Sequence, residues 1–172
     1  MSVIKFGTDG WRAKMGEDFT FDNVRIFTQA YSNYLKRKYL KKPDQELRVM
    51  VNYDTRFLSD EFALEAARIF SLNGIKTLMP ERDAPLAPIS LAILQYKCCA
   101  GINFTASFNQ PIYNGIKVFT SKGIPALPAE TDLIEKEIEE IAGSYHNKPQ
   151  YSEKSLIRTI DVKSPYLEYT EK

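Results

Sequence analysis

Apolar residues recur along this chain in two rhythms that take turns. One marks every second position over short runs; the other marks every third or fourth position over longer ones. Ser2 to Phe6 alternates and predicts a strand. A tight loop follows it, Gly7-Thr8-Asp9-Gly10-Trp11-Arg12, which ends on a cation. Thr20 is placed to cap a helix in which Val24, Phe27, Tyr31 and Tyr34 recur up to about Lys41, and Pro43-Asp44 breaks it. Leu47, Val49, Val51 and Tyr53 predict a strand, and Asp54-Thr55-Arg56 a loop. Ser59 then caps a helix whose apolar face is Phe62, Ala66, Ile69 and Phe70, with Gly74 at its exit. Ile75 to Met79 is a short strand, Pro85 and Pro88 restrict the next turn, and Ile89 to Tyr96 reads as a helix. Cys98 to Phe104 and Ile116 to Phe119 are apolar runs on either side of a loop. After a turn at Gly123, Pro128 starts a helix that buries Leu133, Ile134, Ile138 and Ile141 and ends at Gly143. Leu156 to Ile160 predicts one more strand, and Pro165 suits the first turn of a last helix.

Strands alternating with helices predict an α/β protein, an open three-layer α/β/α sandwich with a mixed, mostly parallel sheet. If the strands ending at Phe6, Tyr53 and Phe104 run parallel, their exit loops meet on one edge, and Arg12, Arg56 and Ser107 share a crevice there. Residues 1–143 form the expected domain. Ser144 to Lys154 is polar with little periodicity, so 144–172 reads as a linker and the start of a connection. The last helix is only a few residues long at Lys172, which creates the expectation of a chain cut from something longer, with a frayed tail as the plainer reading.

Composition narrows the function. Net charge is +1, from 23 Lys plus Arg against 22 Asp plus Glu, so no global positive field favours nucleic acid. Cys98 and Cys99 are adjacent, point to opposite faces of a strand and do not pair. With no second cluster there is no zinc pattern, and the expectation is a reducing, cytoplasmic setting. No apolar run has membrane length, and no signal-peptide core is present.

The chemistry concentrates in Phe104 to Phe119. A small hydroxyl residue, two Asn, a Pro and a Gly between apolar runs make a shaped loop with Ser107 near its tip, just past a strand end. A Ser-His-acid triad has one poorly placed base, His146. The Gly-x-Ser-x-Gly elbow and the P-loop pattern are both absent. What remains is a hydroxyl able to carry a phosphoryl group, with cations to hold its charge. Each residue also has a plainer reading. Ser107 is a turn residue, Arg12 and Arg56 are solvated ions, Lys117 points to solvent, Asn114-Gly115 is a hairpin turn, and Trp11 is core. On spacing and composition alone the chain is a soluble α/β domain, with anion binding as one open reading.

The long stretch resembles the phosphoserine loop of the α-D-phosphohexomutases, the phosphoglucomutase and phosphomannomutase superfamily. Their loop reads Thr-Ala-Ser-His-Asn-Pro and continues with Tyr-Asn-Gly-x-Lys. Thr105-Ala106-Ser107, Asn109 and Pro111 to Lys117 follow it here. Phe6 to Arg12 is similar to the family's opening Phe-Gly-Thr-Asp-Gly-x-Arg, and Val51 to Arg56 to its second segment, with the match continuing from Ser59. The resemblance covers essentially the whole chain and the first of the family's four domains.

It implies that Ser107 is the phosphorylated, catalytic residue and that its phosphoryl oxygen touches Mg²⁺, making Ser107 the metal contact. It implies that Lys117 acts with it in catalysis, and that Arg12, Asn109 and Lys117 bind phosphate. Arg56 is the weaker carry-over, with a structural reading beside it. The implied substrate is a hexose phosphate and the implied activator a hexose 1,6-bisphosphate; the implied partners are further domains of the same chain, with no nucleic acid and no membrane. The remaining magnesium ligands, the sugar-selecting loop and the distal phosphate clamp belong to those domains, so the fragment alone is expected to be inactive. Two positions depart from the family pattern. Phe108 stands where the family has His, and Gln110 where it has Pro. Phe108 cannot move a proton, and such help is worth about 10²–10⁴-fold in rate. This departure motivates an alternative, a non-catalytic family member acting as a binding module; a serine hydrolase is a third, poorly supported reading.

Overall fold

The computed structural model describes residues 4–40, 46–143 and 156–171. Six strands make one sheet in the order β1-β5-β4-β2-β3-β6. They are β1 (Trp11–Lys14), β2 (Arg48–Tyr53), β3 (Lys76–Pro80), β4 (Ala100–Phe104), β5 (Tyr113–Thr120) and β6 (Ile157–Ile160). β4, β2, β3 and β6 run parallel, while β5 is antiparallel to both β4 and β1. The helices are α1 (Phe21–Tyr39), α2 (Ser59–Leu72), α3 (Leu86–Gln95), α4 (Pro128–Ala142) and α5 (Lys163–Thr170).

Alternation along the strands sorts the helices onto two faces. Val49, Val51, Ile102 and Phe104 share a core with Phe27 and Tyr31 of α1, Phe62 and Phe70 of α2, and Ile134 and Ile138 of α4. Met50, Leu78 and Phe119 point the other way and pack with Ile89, Ala92 and Ile93 of α3 and with Val162 just before α5. The expected α/β/α sandwich is therefore present. β4 starts at Ala100 and not at Cys98, so the two cysteines precede the strand; they nonetheless divide between these cores, and both are unpaired. Burial pushes the Cys98 thiol up to about 12 and that of Cys99 to about 11, so neither forms a thiolate near neutral pH.

Several local expectations hold. Thr20 caps α1 by accepting from the Asn23 amide at 3.2 Å, and Asp22 and Lys36-Arg37-Lys38 complement the helix dipole. Gly74 leaves α2 at φ 73°. Others are corrected. Residues 4–6 are not a strand; the first strand is β1, beyond the glycine loop, because Trp11 and Ala13 supply the alternating apolar face that pairs with β5. Ser59 is the first residue of α2 and not its cap. Leu58 holds the cap position at φ 59°, and the Ser59 hydroxyl bonds elsewhere. Asn114-Gly115 is not a hairpin turn but part of β5, which begins at Tyr113. α3 begins earlier than expected, at Leu86. Leu133 is 46% exposed, one position off the stripe that Ile134 and Ile138 bury. Ser2, Pro43-Asp44, Ser144 to Lys154 and His146 lie outside the described residues.

Phe19 joins the layers beneath the loops. It is fully buried, stacks on Trp11 at 4.8 Å and meets Phe62 edge-on at 4.9 Å and Phe104 at 6.5 Å. Phe19→Ala is expected to cost about 3–5 kcal/mol, read as a lower urea midpoint at unchanged slope.

Candidate active site

The chain steps from β2 to β3 on one side and returns to β4 on the other. The carboxyl ends of β2 and β4 thus form a topological switch point, where open α/β sheets bind ligands. Two loops leave there, residues 54–58 after β2 and residues 105–112 after β4. They are cross-linked at the base, where the Asp54 amide donates to the Phe104 carbonyl at 3.0 Å.

Arg56 gives the serine loop its shape. Nη1 donates to the Gln110 and Tyr113 carbonyls, both at 3.0 Å, and Nη2 to the Ser107 and Asn109 carbonyls at 2.8 and 2.7 Å. A planar fork matches several carbonyls at once, and a single ammonium does not. Asp54 aims that fork: its carboxylate accepts from the Arg56 amide and the Ser59 hydroxyl, each at 2.9 Å, and lies 3.4 Å from Arg56 Nε. Ser59 in turn accepts from Asn114 Nδ2 at 2.9 Å, and Asn114 Oδ1 takes the Gly115 amide at 2.8 Å. Gly115 must be glycine, since a Cβ there would lie 2.6 Å from the Trp11 carbonyl oxygen and 2.7 Å from that of Thr105. Inside the loop, the Ser107 amide donates to Thr105 Oγ1 and the Asn109 amide to the Ala106 carbonyl.

This frame holds Ser107 at φ 54°, a strained conformation for a residue with a Cβ. Leu58, with the same sign of φ, lies in the adjoining loop. Two of the three described non-glycine residues with positive φ therefore flank one crevice. Ser107 is half-buried, and its hydroxyl makes no hydrogen bond to another described residue. Phe108 beside it is fully exposed and presents only hydrocarbon to solvent.

The cations approach from the antiparallel side of the sheet. Arg12 is opposite Gly115 in the β1–β5 register, and Lys117 follows on β5. Arg12 Nη1 donates to Asn109 Oδ1 at 3.0 Å. Arg12 Nη2 and Lys117 Nζ both reach one oxygen, Oδ2 of Asp9, at 2.6 and 2.7 Å. The structure thus links Arg12 to Asn109 and, through Asp9, to Lys117. Arg12 arrives on β1 and not on an exit loop from a strand ending at Phe6. Arg56 is spent on the loop backbone, and Trp11 is core. Sequence reasoning missed Asp9, Asp54, Ser59 and Asn114. Asp9 and Asp54 sit inside the matched motifs, three and two positions before Arg12 and Arg56. A cavity of about 330 Å³ lies beside Asp9 and Lys117, walled also by Gly7, Pro125, Pro128 and Thr131; Ser107 is not in its wall.

Among the described residues, no group of three or more His, Cys, Asp or Glu side chains could hold a metal ion. The carboxylate nearest the cations, Asp9, is already engaged by them. The described residues alone do not assemble a magnesium site. No described helix is long and apolar enough to cross a membrane.

The sandwich is the fold of a phosphohexomutase first domain. The chain belongs to the phosphoglucomutase/phosphomannomutase family, whose alpha/beta/alpha domain I model matches residues 3–144. It is 32% identical to a phosphoglucomutase of Staphylococcus saprophyticus over 139 residues, 81% of this chain and 25% of that protein. It is 34% identical to a phosphoribomutase of Saccharomyces cerevisiae over 146 residues, 80% of this chain and 22% of that protein. A solved structure assigned as a phosphomannomutase, from Thermus thermophilus, superposes with a TM-score of 0.85 at 28% identity, covering 99% of this chain and 36% of that one. The chain spans about a quarter of the length of the curated relatives it matches.

Arg56→Ala removes four charge-assisted bonds, three to loop carbonyls and one to that of Tyr113 at the start of β5. It is expected to lower stability by about 2–3 kcal/mol in urea unfolding, and Arg56→Lys should recover little of that loss.

Proposed function

We propose that this chain is the phosphoserine-loop domain of a hexose-phosphate mutase and that Ser107 carries the travelling phosphoryl group. The observation that carries this reading is the Arg56 clamp. It holds Ser107 in a left-handed bend, and it grips the same Asn109 that binds Arg12. In the forward step a sugar hydroxyl attacks the phosphorus on Ser107. The bond from phosphorus to Oγ breaks as the new P–O bond forms, the attacking hydroxyl gives up its proton, and Oγ regains one. The product is a hexose 1,6-bisphosphate, which turns in the site and returns its other phosphoryl group to Ser107 by the same exchange in reverse.

The residues of this chain supply position and charge. Arg12 and Lys117 hold the non-bridging phosphoryl oxygens, Asn109 keeps Arg12 in register, and Lys117 moves the proton that Phe108 cannot. Bound Mg²⁺ would neutralise charge on the phosphoryl group, with Ser107 as this chain's contact and the other ligands supplied from elsewhere in a longer protein. In this reading residues 1–143 are the phosphoserine-loop domain. Residues 144–172 connect it to a following domain, and the described part of that connection, β6 and α5, packs on the first domain's own sheet and on α3. Sugar choice and turnover belong to the longer protein, whose setting is the cytoplasm; the 172-residue chain alone is inactive.

Intact-mass analysis after incubation with glucose 1,6-bisphosphate tests this. One added phosphoryl group is expected on the full-length wild-type protein and none on its Ser107→Gly variant, a substitution that suits the left-handed backbone. Phe108 favours a second reading, a binding module without transfer, because its exposed ring removes a proton donor beside the serine. No phosphoryl gain in the full-length protein would support that module.

A further inference from the structure

Among the described residues, Asp9 is the one acidic side chain that touches both cations, and it does so through one oxygen. Arg12 Nη2 lies 2.6 Å and Lys117 Nζ 2.7 Å from Oδ2. A phosphoryl oxygen is the same kind of acceptor, small, negative and able to take several donors. Arg12 and Lys117 stand on neighbouring strands, and the Lys117 side chain is only 13% exposed, so without an anion between them two like charges would face each other in a partly desolvated place.

The backbone that carries Asp9 is fastened on both sides. The Gly7 amide donates to the Gly10 carbonyl at 3.0 Å. Gly10, at φ 98°, is pressed so close to the Ile116 carbonyl that no Cβ would fit. The carboxylate itself is half in solvent and lines the cavity beside Lys117, so it can turn aside without moving the loop.

We propose that Asp9 is a resident counter-ion: it holds Arg12 and Lys117 together before substrate arrives and yields both to an incoming phosphate. This rests on the reading of Arg12 and Lys117 as phosphate ligands. Asp9 is thus a positioning residue that sets the threshold for anions. A dianionic phosphate monoester competes it away, while a weakly charged ligand does not.

Titrating the 172-residue chain with inorganic phosphate, by calorimetry at low salt, separates the possibilities. Asp9→Asn keeps an oxygen acceptor and the side-chain size but removes the charge. It is expected to bind phosphate about ten-fold tighter than wild type, with the gap shrinking as salt is raised, and Asp9→Glu should return to near the wild-type value. A merely structural aspartate would give no salt-dependent gain. Asp9→Ala provides a second charge-free variant if Asp9→Asn unfolds early. Equal or weaker phosphate binding by the charge-free variants overturns the counter-ion role alone. No phosphate binding by wild type or any variant overturns it together with the assignment of the notch to phosphate.

Discussion

One guanidinium grips four carbonyl oxygens, and the arrangement of the crevice follows from that contact. A loop of eight residues between β4 and β5 has many conformations available, and ordering each residue costs about 1–2 kcal/mol of conformational entropy. Arg56 offsets part of that cost by satisfying three loop carbonyls and that of Tyr113 at the start of β5. It is itself aimed by Asp54, which also holds the start of α2 through Ser59. The shape of the serine loop is therefore decided in a different segment of the chain, about fifty residues earlier. The strain at Ser107 persists because these bonds over-determine it.

The charges are arranged by the same logic. Arg12 and Lys117 come from β1 and β5, the antiparallel pair at the sheet edge, whereas the loop hangs from the parallel strand β4. Asn109 links the two systems, since its side chain accepts from Arg12 and its carbonyl accepts from Arg56. A glycine at position 115 lets β1, β5 and the start of the loop approach closely enough for that link to form. Position comes first in such a site and chemistry second. The groups that do not react far outnumber the hydroxyl proposed to do so, as expected where catalysis is mostly preorganised charge.

Much of the layer order was legible from period alone. The α1 stripe of Val24, Phe27, Tyr31 and Tyr34 and the apolar run at 98–104 lie where their spacing puts them. The first strand was misplaced because Ser2 to Phe6 has a strand's alternation, while Trp11–Lys14, with two basic residues, hides its apolar face. Periodicity cannot see a partner, and β1 exists through its pairing with β5. Asn114-Gly115 misled for the opposite reason: a strong local turn signal is overridden by the packing that requires glycine against Trp11 and Thr105. At the site, motif positions name Ser107, Arg12, Asn109 and Lys117; Arg12 meets Asn109 and, through Asp9, Lys117, while Ser107 lies two residues before Asn109 on the same loop. The roles of Asp9 and Asp54 were not legible, because a carboxylate's role here depends on which cation reaches it across the fold.

The bonds around Arg56 build the serine loop before any ligand arrives. Amide hydrogen exchange on the unliganded 172-residue chain tests it most directly, at Ser107, Asn109 and Tyr113, whose amides are bonded within the loop. Exchange at these three is expected to be slowed by orders of magnitude relative to a free peptide and to approach that of β4 and β5. Exchange at peptide-like rates beside protected strands would contradict it, since the loop would then take shape only when something binds.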